Sequence, residues 1–350
     1  MIENTLPVLR PMSMGELLDQ AFRLYRKNFF TFVGIIAIVY IPLSVISILS
    51  SLKIASVTSA TALQSNPLLS SSYLSGLGLL LLYFFLNMVF TQGLGTAVLT
   101  RAVADNYLGK PAGILSSYKH IGKSWLKLLG AILLAGLIFW AIMVFTIIPC
   151  IGTFTGPGLA IFLLSIVLPL VAPVVVIEKT GATASLGRAW ELSRRRFWWL
   201  VGFVVILSLM SILITIGPGY LARYIVSLIG GNSGNYVARL QLQTIAQQLV
   251  TIVMGVLYFP VQLTAITLAY FDLRVRTEGL DMALLTVEAS GETGVDATAQ
   301  VPVMKATKGL LSWIDVGHFA ILSIGLIAIY GILIIVIGAI GMAASASAGL

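Results

Sequence analysis

Three groups of bases stand beside aromatic residues at the foot of long apolar runs: Arg26 and Lys27, then Lys123, then Arg194, Arg195 and Arg196. A cationic side chain at that depth can pair with lipid phosphate, and near an anionic leaflet each contributes about 1 kcal/mol. Trp125, Trp190, Trp198 and Trp199 beside them suit the headgroup level. These positions predict contact with anionic membrane lipids, with ordinary topology anchoring as the plain alternative. A second charged group, Asp272, Arg274, Arg276, Glu278 and Asp281, closes another apolar run. On a helix, Asp272 with Arg276 and Arg274 with Glu278 are i,i+4 pairs, each worth about 0.2 to 0.5 kcal/mol if exposed.

Catalytic chemistry has few candidates. His120 and His318 are far apart, and the chain has no zinc-ligand spacing, phosphate-binding loop, nucleophile elbow or His-Glu-x-x-His pattern. The expectation is a protein that is not an enzyme and takes no cofactor or metal. Asn87, Gln92 and Gln262 are polar residues inside apolar runs. They either line a small cavity or join helices by hydrogen bonds worth about 1 kcal/mol or less each.

The elements that position these groups are membrane helices. The chain is 58% hydrophobic and 10% charged, with a mean hydropathy of +1.01, against about 25% charged residues in a soluble domain. A bilayer core about 30 Å thick needs roughly 20 apolar residues at 1.5 Å each. Seven runs meet that, at about 29–52, 74–100, 129–148, 158–177, 197–217, 249–271 and 317–341. With the amino terminus inside, eighteen of the 21 Lys and Arg fall on the inner side, which sets the orientation. All thirteen acids map to the inner side as well, and the net charge of +8 needs no nucleic-acid partner to explain it.

A repeat organises the runs. Phe22, Tyr25, Phe29 and Gly34 share their spacing with Tyr118, Ile121, Trp125 and Gly130, and with Trp190, Ser193, Phe197 and Gly202. A base precedes each third anchor by two residues: Lys27, Lys123 and Arg195. An amphipathic helix therefore feeds a membrane helix three times. The first feeder helix opens with a Ser13-Met-Gly-Glu16 capping box. The expected fold is an all-α polytopic membrane protein. Its six-helix core comprises three parallel hairpins with cytoplasmic interfacial helices, and a seventh C-terminal transmembrane helix follows. The expected layout is a cytoplasmic amphipathic helix over 1–28, a membrane module over 29–281, a flexible cytoplasmic linker over 282–314, and the seventh helix with an outer tail over 315–350. Tyr236 to Gln248 is expected to extend the sixth helix and form a second interfacial feature. Residues 149–157 are expected to form a Pro/Gly turn, and Gly331 and Gly338 to let the seventh helix approach a neighbour.

Three segments carry a family resemblance. They are Arg10-Pro-Met-Ser-Met-Gly-Glu-Leu-Leu-Asp-Gln-Ala-Phe-Arg-Leu-Tyr-Arg-Lys-Asn-Phe29, Val176-Ile-Glu178 with Ser185-Leu-Gly-Arg-Ala-Trp-Glu-Leu-Ser193, and Tyr270-Phe-Asp-Leu-Arg-Val-Arg-Thr-Glu-Gly-Leu-Asp281. Together they resemble the glycerophosphoryl diester phosphodiesterase membrane-domain family. The resemblance implies a six-helix membrane module, sometimes fused to a catalytic barrel; that barrel has no counterpart here, and the seventh helix departs from the pattern. The function expected is a non-enzymatic membrane module that organises anionic lipid or a membrane-protein partner at the cytoplasmic face of a prokaryotic plasma membrane. The alternative is a transporter or channel for a small uncharged or lipidic solute.

Overall fold

The structure, a computed structural model, describes residues 10–57, 71–229, 236–288, 295–301 and 312–348; nearly all are helical and none forms a strand. Seven helices among them are long and apolar enough to cross a membrane. Parts of the 53–73 and 218–248 connections and of the 282–314 segment lie outside the described residues.

Helix α1 (Met14–Lys27) is amphipathic, as the sequence requires. Ser13 and Glu16 form the reciprocal capping box, and Leu17, Ala21, Leu24 and Tyr25 are its buried stripe. Withdrawing a leucine such as Leu17 from water contributes about 1.5 to 3 kcal/mol. The Asn28 N–H bonds back to Leu24 and Tyr25 and ends the helix, and α2 (Phe29–Val57) starts at the next residue. The same joint recurs. Helix α4 (Ile114–His120) passes through Gly122, at φ +54°, to α5 (Ser124–Phe145). Helix α7 (Ala182–Arg195) breaks at Arg196 before α8 (Phe197–Ile229). In each copy the break falls between the repeated base and the third anchor or immediately beside them.

The longer helices complete three sequence-adjacent pairs: α3 (Ser71–Tyr107) lies along α2, α6 (Ile151–Ile177) along α5, and α9 (Tyr236–Glu278) along α8. The carboxyl halves of α3, α6 and α9 also pack on one another. Buried side chains on these helices include Ala97 and Leu99, Val171 and Val175, and Leu268 and Ala269.

Three contacts between these units have one form. A methyl group placed on Gly34 would meet Ile114 Cδ1 at 2.6 Å, one on Gly130 would meet Ala182 Cβ at 3.4 Å, and one on Gly202 would meet Met14 Cε at 3.5 Å. Each repeated glycine on α2, α5 or α8 thus faces the first residue of a feeder helix, and the third contact returns to α1.

Two connections differ from expectation. Residues 151–157 belong to α6, whereas the turn occupies 146–150. Gly156 packs on Thr146 and Gly158 on the Phe319 backbone, so these helical glycines serve close packing of α6 against its neighbours. Beyond α9, the expected linker contains α10 (Leu280–Glu288) and α11 (Val295–Gln300). Leu280, Leu284, Val295 and Val301 are buried; α10 is apolar enough to pack, whereas the sparse Val295 and Val301 carry no clear helical period in the sequence, yet tertiary contacts cover them. Helix α12 (Trp313–Ala348) packs along α6, where Ser323 Oγ accepts from the Gly158 N–H at 2.7 Å. Gly331 meets nothing within 4 Å. Among the described residues, the glycine that admits close approach is therefore Gly158 on α6, and the environment of Gly338 is outside them.

Candidate functional site

Where α6, α7 and α9 meet, five side chains form a buried charged cluster. Glu178 follows the last turn of α6, Arg188 lies on the buried face of α7 with Ser185, Ala189 and Leu192, and Tyr270, Arg274 and Glu278 occupy the end of α9. Arg188 Nε lies 3.3 Å from both Glu178 oxygens, and its Nη2 donates to Glu278 Oε2 at 2.6 Å. Arg274 Nε donates to Glu278 at 3.1 Å, while the Tyr270 hydroxyl donates to Glu178 at 2.8 Å and accepts from Arg274. Side-chain exposure is 6% or less for both arginines and both glutamates.

Two buried guanidinium groups and two carboxylates balance in charge. Burial works against the charge on Arg188, but Glu178 and Glu278 outweigh it and hold that guanidinium above its ordinary pKa. Both carboxylates accept from arginines. The arrangement ties α6, α7 and α9 together.

A second ionic knot adjoins it. Asp272 accepts the Met12 N–H at 2.7 Å, and Arg276 donates to both Asp272 and the Met12 carbonyl. Arg196 contributes a weaker contact to Asp272 at 3.4 Å and lies over the Trp199 ring at 4.8 Å. Burial and then Arg276 lower the Arg196 pKa. The two i,i+4 pairs foreseen at the close of α9 are both present. They are not a fully exposed collar: Arg274 is 0% exposed and Asp272 1%, while Arg276 remains exposed.

The structure divides the other foreseen residues. Arg26, Lys27 and Lys123 are exposed. Arg194 pairs with Asp315 at the start of α12, and Arg195 with Glu191 at 2.7 Å and Glu278 at 3.6 Å. All three bases of the Arg194 to Arg196 run therefore meet carboxylates of the chain. Asp281 is half-buried in the first turn of α10. Asn87 donates to Thr91 within α3, Gln92 is exposed, and Gln262 is half-buried on α9.

Glu178, Arg188, Tyr270 and Asp315 were not among the foreseen site residues. Arg188 had a signal, since it shares a helix face with the small and apolar Ser185, Ala189 and Leu192. A further ionic group holds α11: Asp105 accepts the Val295 N–H at 3.2 Å, and Asp296 pairs with Lys179 at 2.9 Å and Arg101 at 3.5 Å. An apolar cleft of about 580 Å³ opens between α5, α6 and α12, and a polar one of about 210 Å³ runs along the charged face of α1 beside Tyr107.

Comparison with known families, curated proteins and solved structures finds no match.

Proposed function

We propose that this chain is a non-enzymatic membrane module of the glycerophosphoryl diester phosphodiesterase membrane-domain type, organising anionic lipid or a membrane-protein partner at the cytoplasmic face of a prokaryotic plasma membrane. The observation that carries the reading is the convergence of the three resemblance segments. Glu178 and Arg188 come from the second, Tyr270, Arg274 and Glu278 from the third, and Met12 of the first is held by Asp272 and Arg276. Residues far apart in sequence meet where they fix helices, which suits a rigid platform better than a reaction centre.

On this reading, α1–α3, α4–α6 and α7–α9 are three parallel hairpins with interfacial feeder helices, and α12 is a seventh crossing that leaves the carboxyl terminus outside. The repeated glycine contacts support a closed ring of three units. The apolar meeting of α3, α6 and α9 favours a platform over a transport path, as does the outward position of Gln92. The surface offered to lipid headgroups or an acidic partner consists of the exposed Arg26, Lys27 and Lys123, since carboxylates neutralise the bases at α7.

Native mass spectrometry of the full chain tests this. The variant R26Q/K27Q/K123Q should retain several-fold less anionic phospholipid than the unaltered protein, at unchanged thermal stability. Equal retention would reduce these bases to topology signals.

A further inference from the structure

The opposite ends of α8 and α9 show another distribution of charge. No Asp or Glu occurs between Glu191 and Asp272, so this helical pair is acid-free until it returns to the buried cluster. It nevertheless carries Arg223 and Arg239. Arg223 donates to Gln247 Oε1 at 3.1 Å, and Arg239 donates to the Ser227 carbonyl at 2.9 Å. These two acceptors are neutral, and Arg239 has a further contact besides, whereas Arg188, Arg194, Arg195 and Arg196 all pair with carboxylates.

The same tip is polar toward its partner helix and apolar outward. Gly219 packs against Thr251 and Gln247 on α9, and the Arg223 and Arg239 contacts lie along the same seam. On the other face Tyr220, Leu221, Tyr224, Ile225 and Leu228 are exposed, from 46% to 64%. Their spacing of i, i+1, i+4, i+5 and i+8 makes one continuous stripe. An apolar outer face over a polar seam is unsuited to water and suited to lipid.

Length places the tip. Helix α8 has 33 residues, about 50 Å at 1.5 Å each, and α9 has 43, about 64 Å. A hydrocarbon core about 30 Å thick takes roughly the first 20 residues of α8. The stretch from Tyr220 onward then stands at the far headgroup region, where tyrosine is favoured.

We propose that the α8–α9 tip is a docking surface for anionic phospholipid of the far leaflet. Arg223 and Arg239 take headgroup phosphate, and the Tyr220 to Leu228 stripe lies among the upper acyl chains. The inference rests on the helices crossing a bilayer and is independent of the exposed bases at the other end.

The test uses the full chain in nanodiscs of mixed phosphatidylglycerol and phosphatidylcholine, read by native mass spectrometry. R223Q/R239Q should weaken the preference for phosphatidylglycerol roughly thirtyfold, whereas R223K/R239K should keep most of it. Thermal unfolding in phosphatidylcholine alone should be alike for all three proteins. Undiminished preference in R223Q/R239Q overturns the proposal, and a loss seen only in R26Q/K27Q/K123Q assigns lipid contact to the other end instead. Displacement of phosphatidylglycerol by millimolar inorganic phosphate also overturns it, by revealing a free-anion site.

Discussion

Arg188 Nη2 stands 2.6 Å from Glu278 Oε2 across 90 positions of chain, and the same guanidinium engages Glu178 through Nε. A single buried side chain on α7 thereby bridges the ends of α6 and α9. Such a group adds little net stability over apolar packing, but losing one member leaves uncompensated charge in the interior.

Glu178→Gln should therefore destabilise the protein by about 3 to 5 kcal/mol, measured by chemical unfolding in detergent. The double variant Glu178→Gln/Arg188→Met should cost less than the sum of the single changes. Arg195→Gln, at a site with 22% exposure, should cost about 1 kcal/mol or less. Additive single and double costs would mean that the cluster does not act as a unit.

The Asp272 knot makes a local prediction. Asp272→Asn keeps an acceptor for the Met12 N–H and removes the charge that faces Arg276 and Arg196. Hydrogen exchange at residues 10–13 should rise at least several-fold while α12 keeps its protection. Unchanged exchange there would show that α1 is held by its apolar stripe alone.

Gly158 sets how closely α12 approaches α6. A methyl group there would overlap the Phe319 carbonyl, so Gly158→Ala forces the helices apart and should cost about 1 to 3 kcal/mol, as overpacking does. Gly331→Ala should be nearly neutral. Equal melting temperatures for the two variants would contradict the docked position of α12.

Docking of α11 should depend on acid. The Lys179 ammonium donates to Asp296 and, with Arg101 nearby, lowers its pKa despite partial burial. A carboxyl with a depressed folded pKa stabilises docking above its ordinary value and loses that contribution as pH falls through the folded value. The contribution of Asp296 to protection of residues 295–301 from exchange should be complete above pH 3.8, the ordinary value, and decline below it. Lys179→Met should remove much of the dependence.

Local signals were legible in the sequence because neighbouring residues create them. The Ser13–Glu16 box, the seven apolar runs and the helical Tyr236 to Gln248 extension follow from spacing and composition. The charged close of α9 was legible only as two i,i+4 pairs. Its burial depends on Arg188, Glu178 and Met12, whose proximity no local period encodes. Gly156 looked like part of a turn because Gly and Pro cluster around it, and Gly158 was legible only as the start of an apolar run, since its close approach to Phe319 is set by another helix. Arg194 to Arg196 resembled a lipid-facing run for a similar reason: Asp315 and Asp272, which pair with its first and last members, come from α12 and α9.

The central claim is that three like units close into a ring, and cysteine pairs test it most directly. In a Cys150→Ser background, G34C/I114C, G130C/A182C and G202C/M14C each join neighbouring units. The 3.4 Å from a Gly130 methyl position to Ala182 Cβ is close to disulfide spacing, and a short bis-maleimide suits the other two pairs. Membrane-embedded protein treated with oxidant or crosslinker, digested and read by mass spectrometry should yield all three joined peptides, with little from the mismatched pairs 34/182 and 130/14. Efficient joining of the first two pairs without 202/14 would contradict the account, because the chain would then be an open row of hairpins.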